Sequence, residues 1–403
     1  GGTTNISSNK IGSFTTVNKT YFYGVWNNGT AAISTVNNNI IGSTSTPNSI
    51  NLSYSSTLEQ IIYAIRVNNS GINTVNGNTI ANIVVGTTKM ADDAEIFGIR
   101  INNGTSTVNG NLIYNLTTPN STSTNQAVVM GISINGSTVS STSTISNNII
   151  SLGDNTPTVY NGIQEGNPKA ATTSICFNTV YIGGSQIAGS TTYSYCLRSS
   201  NATTYDRIIK NNILVCTRNN PSASNMCFAL ATAGTVNSFV CDYNDYYASG
   251  TGCTIGSYLW VNVPSLPIVP GNDANSLVIN PGFANAGGVN AADYKTSATL
   301  PAVTGTGILV DYLGYTRPAT PSMGAIDANG IAGLNDYQMV LPYHLIQTSR
   351  GIRVTFEGEA NVELYSISGQ LIDKLKATGS YSHNLDNGVF IIRINGKASK
   401  FIM

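Results

Sequence analysis

Charge is what this 403-residue chain has least of: Asp, Glu, Lys and Arg together make up 9% of it, and the formal net charge is zero. Basic residues do not cluster, so the electrostatic footprint of a nucleic-acid-binding protein is missing. Histidine occurs twice, at His344 and His383, both near the C-terminus. The chain before His344 therefore offers no Ser-His-Asp triad and no imidazole metal ligand. No run of about 18 apolar residues occurs, so no helical membrane span is expected. Strong helix formers are also scarce: Asn, Ser, Thr, Gly and Ile dominate where a helical protein would use Ala, Leu, Glu and Lys. The chain opens at Gly1-Gly2-Thr3-Thr4 with no initiator Met and no signal peptide, and is expected to be a processed product or a piece of something longer.

What the chain does have is a repeat. An apolar residue three places before an Asn recurs at Asn9, Asn39, Asn78, Asn111, Asn148, Asn178 and Asn212, and a small residue inside an apolar strand recurs at Gly24, Ala64, Gly98, Gly131, Gly162, Cys196 and Cys227. Intervals in both series run from 30 to 40 residues, so the two registers advance together. Self-similarity at this period marks a solenoid, whose units bury their apolar faces only by stacking on neighbours. Short β-branched runs separated by Asn-Gly and Asn-Asn-Gly turns make it a parallel β-helix of about seven coils.

Strand phase follows from the small residue, taken as position zero. Position −1 holds Tyr23, Tyr63, Phe97, Met130, Asn161, Tyr195 and Met226, and position +1 holds Val25, Ile65, Ile99, Ile132, Ile163, Leu197 and Phe228. Side chains alternate along a strand, so −1 and +1 are expected to share one face along the core. The repeated Asn is expected at a corner, in left-handed backbone, bonded to its equivalent one coil away.

Composition divides the chain into residues 1–240 of β-helix repeats, a closing segment over 241–332 that would cap the last coil, and a module over 333–403. Thirteen of the 38 charged residues fall in those last 71 positions. Their strands alternate in the half-buried manner of a small antiparallel sandwich.

The run Val362-Glu363-Leu364-Tyr365-Ser366-Ile367-Ser368-Gly369-Gln370, then Gly388-Val389-Phe390-Ile391-Ile392, then Lys400-Phe401-Ile402, resembles a type A C-terminal sorting domain of the Bacteroidetes type IX secretion system. Residues 241–330 more loosely resemble the closing segment of Bacteroidetes right-handed β-helix proteins, through Asp242-Tyr243-Asn244, Asn280-Pro281-Gly282-Phe283 and Arg317-Pro318 with Gly324-Ala325. Ile326-Asp327 stands where Tyr-Glu is commoner. The resemblance implies a right-handed parallel β-helix followed by an immunoglobulin-like β-sandwich. It also implies recognition of residues 333–403 by the secretion translocon and an outer-membrane shuttle barrel. The sorting signal would be carried by Gly369, Gly388, Val389, Phe390, Ile392, Lys400, Phe401 and Ile402, and the protein would be secreted or held at the cell surface on the outer membrane.

Three groups of residues are candidates for chemistry. Asp92, Asp93 and Glu95 are the one local acidic cluster of the repeats and, with Arg100, could serve a polysaccharide lyase or glycoside hydrolase. Trp26, Arg66 and Arg100 share position +2 in successive coils and, if that position faces outward, form a ladder able to hold an acidic sugar. The six cysteines lie between Cys176 and Cys253 without a Cys-x-x-Cys or a nearby His, so neither a metal nor any other cofactor is expected. Cys196 and Cys227, at equivalent positions, can form a disulfide or remain buried thiols, and Cys241 with Cys253 can close a loop in an oxidising compartment. The reading favoured is a secreted, non-catalytic adhesin or stalk, contacting glycan or another cell, with the carbohydrate-active enzyme as alternative.

Overall fold

The computed structural model describes residues 2–17, 20–52, 59–86, 94–122, 126–135, 142–166, 172–186, 192–199, 206–221, 227–233, 238–330, 343–348, 351–386, 388–395 and 397–402. The chain divides into two compact units, Gly1–Tyr312 with Arg317–Gly330, and Leu313–Thr316 with Ile331–Met403.

The first unit is a parallel β-helix. Its first sheet holds eight strands from Thr3–Ser7 to Phe239–Asp242, and its second runs from Lys10–Ile11 to Asp245–Ala248. The third runs from Thr20–Asn27 to Thr254–Tyr258 and ends in the antiparallel strand Val261–Val263. Phe239–Asp242, Asp245–Ala248 and Thr254–Tyr258 add one coil to the seven counted from the repeats. That coil carries the same mark, Cys241 three places before Asn244.

Like residues stack inward because each coil repeats the phase of the last. Val36, Val75, Val108, Ile145, Ile175 and Ile209 form one column of the first sheet. Ile41, Ile80, Ile113, Ile150, Val180 and Leu214 form one of the second, and all twelve belong to one buried cluster. Each such side chain contributes about 1.5–3 kcal/mol by leaving water, which makes these columns the main source of stability.

The corner between the first two sheets is held by the repeated Asn. Asn78, for example, accepts at Oδ1 from the Asn39 backbone N–H at 3.0 Å and from Asn39 Nδ2 at 2.9 Å, and Asn111 does the same for Asn78. The series continues unbroken from Asn9 to Asn244. The left-handed backbone, however, sits one residue earlier than expected. Ser8, Asn38, Gly77, Gly110, Asn147, Phe177, Asn211 and Tyr243 have φ between 54° and 64°, which turns the chain so that the next side chain points along the stack.

Position zero of the third sheet bends the strand, and this overturns the expected phase. Pairing steps from Tyr63↔Phe97 to Ile65↔Ile99 without a pair at the small residue. A Cβ at Gly131 would lie 2.7 Å from Ile150 Cγ2, so position zero points inward. Ile65 and Ile99 at +1 point inward as well, whereas Tyr63 and Phe97 at −1 form a separate cluster outside the core. Two successive inward residues fit only if the first is small. A second correction concerns the seventh coil, where Tyr195 pairs with Phe228 and Leu197 with Leu230, placing Ala229 at zero instead of Cys227. A shift by two leaves every side chain on its own face, so alternation alone could not detect it.

The closing segment caps only briefly. Ile268 and Val269 join the β-helix core, and the Asp273 N–H bonds the Cys241 carbonyl at 2.8 Å. Beyond Leu277 the chain returns along the outside of the second sheet: Asn211 Nδ2 donates to the Val303 carbonyl and Asn147 Nδ2 to the Val310 carbonyl. Arg317 fastens this return. Its Nη2 donates to Asn147 Oδ1 at 2.8 Å, its guanidinium lies 3.7 Å from the Phe177 ring centroid, and Asp327 pairs with it at 3.3 Å.

The second unit is a five-stranded antiparallel sheet. Its longest strand, Gly351–Ser366, shifts register between Thr355 and Glu359, and side chains from both of its halves, including Ile352, Val354, Val362 and Leu364, gather into one core with Ile392 and Ile394.

Candidate ligand-binding face

The bend at position zero turns both −1 and +2 outward, and on the third sheet this brings aromatic and cationic side chains together. Tyr23, Tyr63 and Phe97 stack with ring centroids 5.1 and 4.8 Å apart, within 10° of parallel. Trp26 stacks on Tyr23 at 4.8 Å and is 51% exposed. Arg66 lies 4.8 Å from the Tyr63 centroid and 5.8 Å from that of Trp26, and its Nη1 donates to Tyr23 Oη. Arg100 lies 4.5 Å from the Phe97 centroid and 5.5 Å from that of Tyr63, with Nε donating to Asn102 Oδ1. Guanidinium groups held over rings are fixed in plane, so a ligand anion meets them already ordered. Trp26, Arg66 and Arg100 thus lie together on one outer face, and Tyr23, Tyr63 and Phe97, read from the sequence as core, are what joins them.

Of the acidic cluster, Asp92 and Asp93 lie outside the described residues. Glu95 pairs in register with Ile61 on the outer side of the strand Ala94–Ile101, which also carries Arg100.

The same face carries a second aromatic group at its other end, around a cavity of about 400 Å³. Tyr195 and Phe228 stack at 5.4 Å, and Arg198 lies 4.9 Å from the Tyr195 centroid and 5.4 Å from that of Trp260. Arg198 occupies position +2 of its coil, the same position as Arg66 and Arg100, and that spacing was the signal by which it could have been found. Gln126, Thr192, Ser257 and Asn262 add polar groups to the lining. Trp260 reaches the cavity from the hairpin that joins Thr254–Tyr258 to Val261–Val263. Leu259 and Trp260 form its tip with φ of 50° and 66°. Asn-Gly is the usual choice for such a turn, and left-handed backbone costs a bulky residue roughly 1–2 kcal/mol.

The cysteines pair differently from either expected bridge. Cys227 is bonded to Cys216, with Cα atoms 6.2 Å apart across the corner between the second and third sheets. Cys196 is a buried free thiol donating to the Val215 carbonyl. The two-residue shift that puts Ser194 opposite Cys227 is the reason Cys196 misses it. Cys241 and Cys253 are also free: Cys241 Sγ lies 3.0 Å from Tyr246 Oη, and Cys253 Sγ lies 3.4 Å from Cys216 Sγ. Burial pushes the Cys196 and Cys241 thiols well above their usual range and that of Cys253 to about 11, so all three are poor nucleophiles at neutral pH.

In the second unit, Gly369 turns the chain with φ of 84°, and its N–H bonds the Ser366 carbonyl. Gly388 precedes the strand Val389–Ile394, in which Ile392 is fully buried. Lys400, Phe401 and Ile402 lie in the final strand, paired in register with Ile391, Phe390 and Val389.

Known protein families include no match to this chain, and the curated proteins include none either.

Proposed function

We propose that this protein is a secreted or cell-surface β-helix that acts without catalysis, holding glycan along the outer face of its third sheet. The observation that carries the proposal is the interleaving of Arg66 and Arg100 with Tyr23, Tyr63, Phe97 and Trp26. Sugar rings offer C–H faces to aromatic planes, and acidic sugars offer carboxylates to guanidinium forks. Repetition at the spacing of stacked coils suits a polymer better than a single small molecule, because each coil adds a weak contact and the contacts multiply. Trp26, Arg66 and Arg100 are the contact residues in this reading. Residues 333–403 are the export signal, engaging the type IX translocon and shuttle barrel through Gly369, Gly388, Val389, Phe390, Ile392, Lys400, Phe401 and Ile402, as their resemblance to type A sorting domains implies.

The test is incubation of the full chain with acidic and neutral polysaccharides while following both retention and new reducing ends. Retention of acidic polymers without cleavage supports the proposal. New reducing ends that vanish in an Asp92→Ala/Asp93→Ala/Glu95→Ala variant would make the protein a carbohydrate-active enzyme instead.

A further inference from the structure

We infer that the cavity bounded by Tyr195, Arg198, Phe228 and Trp260 is a separate binding site for a single pyranose ring bearing an anionic group. The inference rests on the reading of this face as a glycan surface and adds to it the class of sugar. Three observations carry it.

The cavity is closed on two sides by aromatic surface, Trp260 on the hairpin and the Tyr195–Phe228 stack on the sheet. Its volume of about 400 Å³ lies at the small end of the range for ligand sites. That suits a single sugar ring with its substituents, not an enclosed chain.

Arg198 sits between the two aromatic surfaces as the cation of the cavity. Its Nε is buried without a hydrogen-bond partner, and no described carboxylate forms an ion pair with it. A guanidinium stacked on rings and lacking an internal carboxylate is set to meet one brought by a ligand. The amide and hydroxyl groups of Gln126, Thr192, Ser257 and Asn262 are of the kind that recognise sugar hydroxyls.

The hairpin tip puts Leu259 and Trp260 where Asn-Gly would fold without strain. Trp260 is 61% exposed, so packing does not account for its place there. Strain retained at an exposed aromatic residue beside a cavity points to binding.

The chain has two tryptophans, so Trp26→Phe leaves Trp260 as the sole tryptophan reporter. Glucuronic acid, glucose 6-sulfate, glucose and adenosine monophosphate would be titrated into this variant. Saturable quenching by glucuronic acid or glucose 6-sulfate, and none by glucose, is expected, and comparing the two acids separates carboxylate from sulfate recognition. Arg198→Ala should weaken the acidic sugar at least tenfold. Leu259→Asn/Trp260→Gly in the otherwise unaltered chain should raise Tm yet abolish binding measured by calorimetry, a combination that a purely structural role for Trp260 would not give. Equal quenching by glucose, quenching by the nucleotide alone, or an Arg198→Ala variant that binds as tightly as its parent would each overturn the inference. If acidic polymers are retained while no sugar acid reaches Trp260, only this cavity is excluded. If retention fails as well, the reading of the whole face fails with it.

Discussion

The residue that does most to hold the coils in register is the buried corner Asn. Asn148 accepts at Oδ1 from the Asn111 N–H and Nδ2, and its own Nδ2 donates to the Val108 carbonyl and to Asn178 Oδ1. Asn148→Ala strips partners from groups on both sides, each costing about 1–3 kcal/mol when left buried. Chemical denaturation of the full chain should show a loss of roughly 3–5 kcal/mol. The ladder was legible in the sequence because its spacing repeats. The left-handed position before it was not, because Ser8, Gly77, Phe177 and Tyr243 share no chemical type. Glu165 stands in register with Ile134 of the coil before and Ser199 of the coil after. It faces inward, where Arg207 of the next coil pairs with it at 2.5 Å and Ser199 donates to it at 2.8 Å. Glu165→Gln should cost about 3–5 kcal/mol by stranding a buried guanidinium, whereas the apolar pair Glu165→Leu/Arg207→Met should recover most of that loss. Equal destabilisation by the single and double variants would contradict this account.

At the scale of the element, the bent strand of the third sheet explains why the site was half visible. Strict alternation placed −1 and +1 on one face, and the bend at position zero separates them. No alternation argument can report a bend whose only trace is a small residue. The return segment over the second sheet was equally hidden, since it carries no repeat, yet it has a measurable consequence. Asp245 accepts from the Ile279 N–H at 3.0 Å, and its Oδ2 is buried without a partner. Burial raises its carboxyl from 3.8 to about 7. A carboxyl raised on folding favours the protonated native state, so its contribution is complete below about pH 4 and lost as pH rises through about 7. Between those limits the wild type should lose up to about 4 kcal/mol relative to Asp245→Asn. Urea denaturation of both proteins at pH 5 and pH 8 checks this, and a difference that does not vary with pH would contradict it.

At the scale of the whole molecule, the chain forms two compact units. Low charge and stacked β-branched columns build a rod that recruits stability coil by coil, as solenoids do. The C-terminal unit buries its own small core around Val354, Val362, Leu364 and Ile392. In the proposed export role, deleting residues 333–403 should abolish secretion from a type IX-competent host while the rod stays folded by circular dichroism. Normal export of the truncated chain would remove that role. The architecture could be read from the repeats because a solenoid writes its period into the sequence. The cavity beside Trp260 could not, because a hairpin outside the repeat brings one wall of it. The most direct test of the central claim is the affinity of the full chain for its best-retained acidic polysaccharide, measured for wild type and for Arg66→Ala/Arg100→Ala. The account predicts at least a tenfold loss in the double variant with a similar melting temperature, because both side chains lie on the outer face; equal affinity would contradict it.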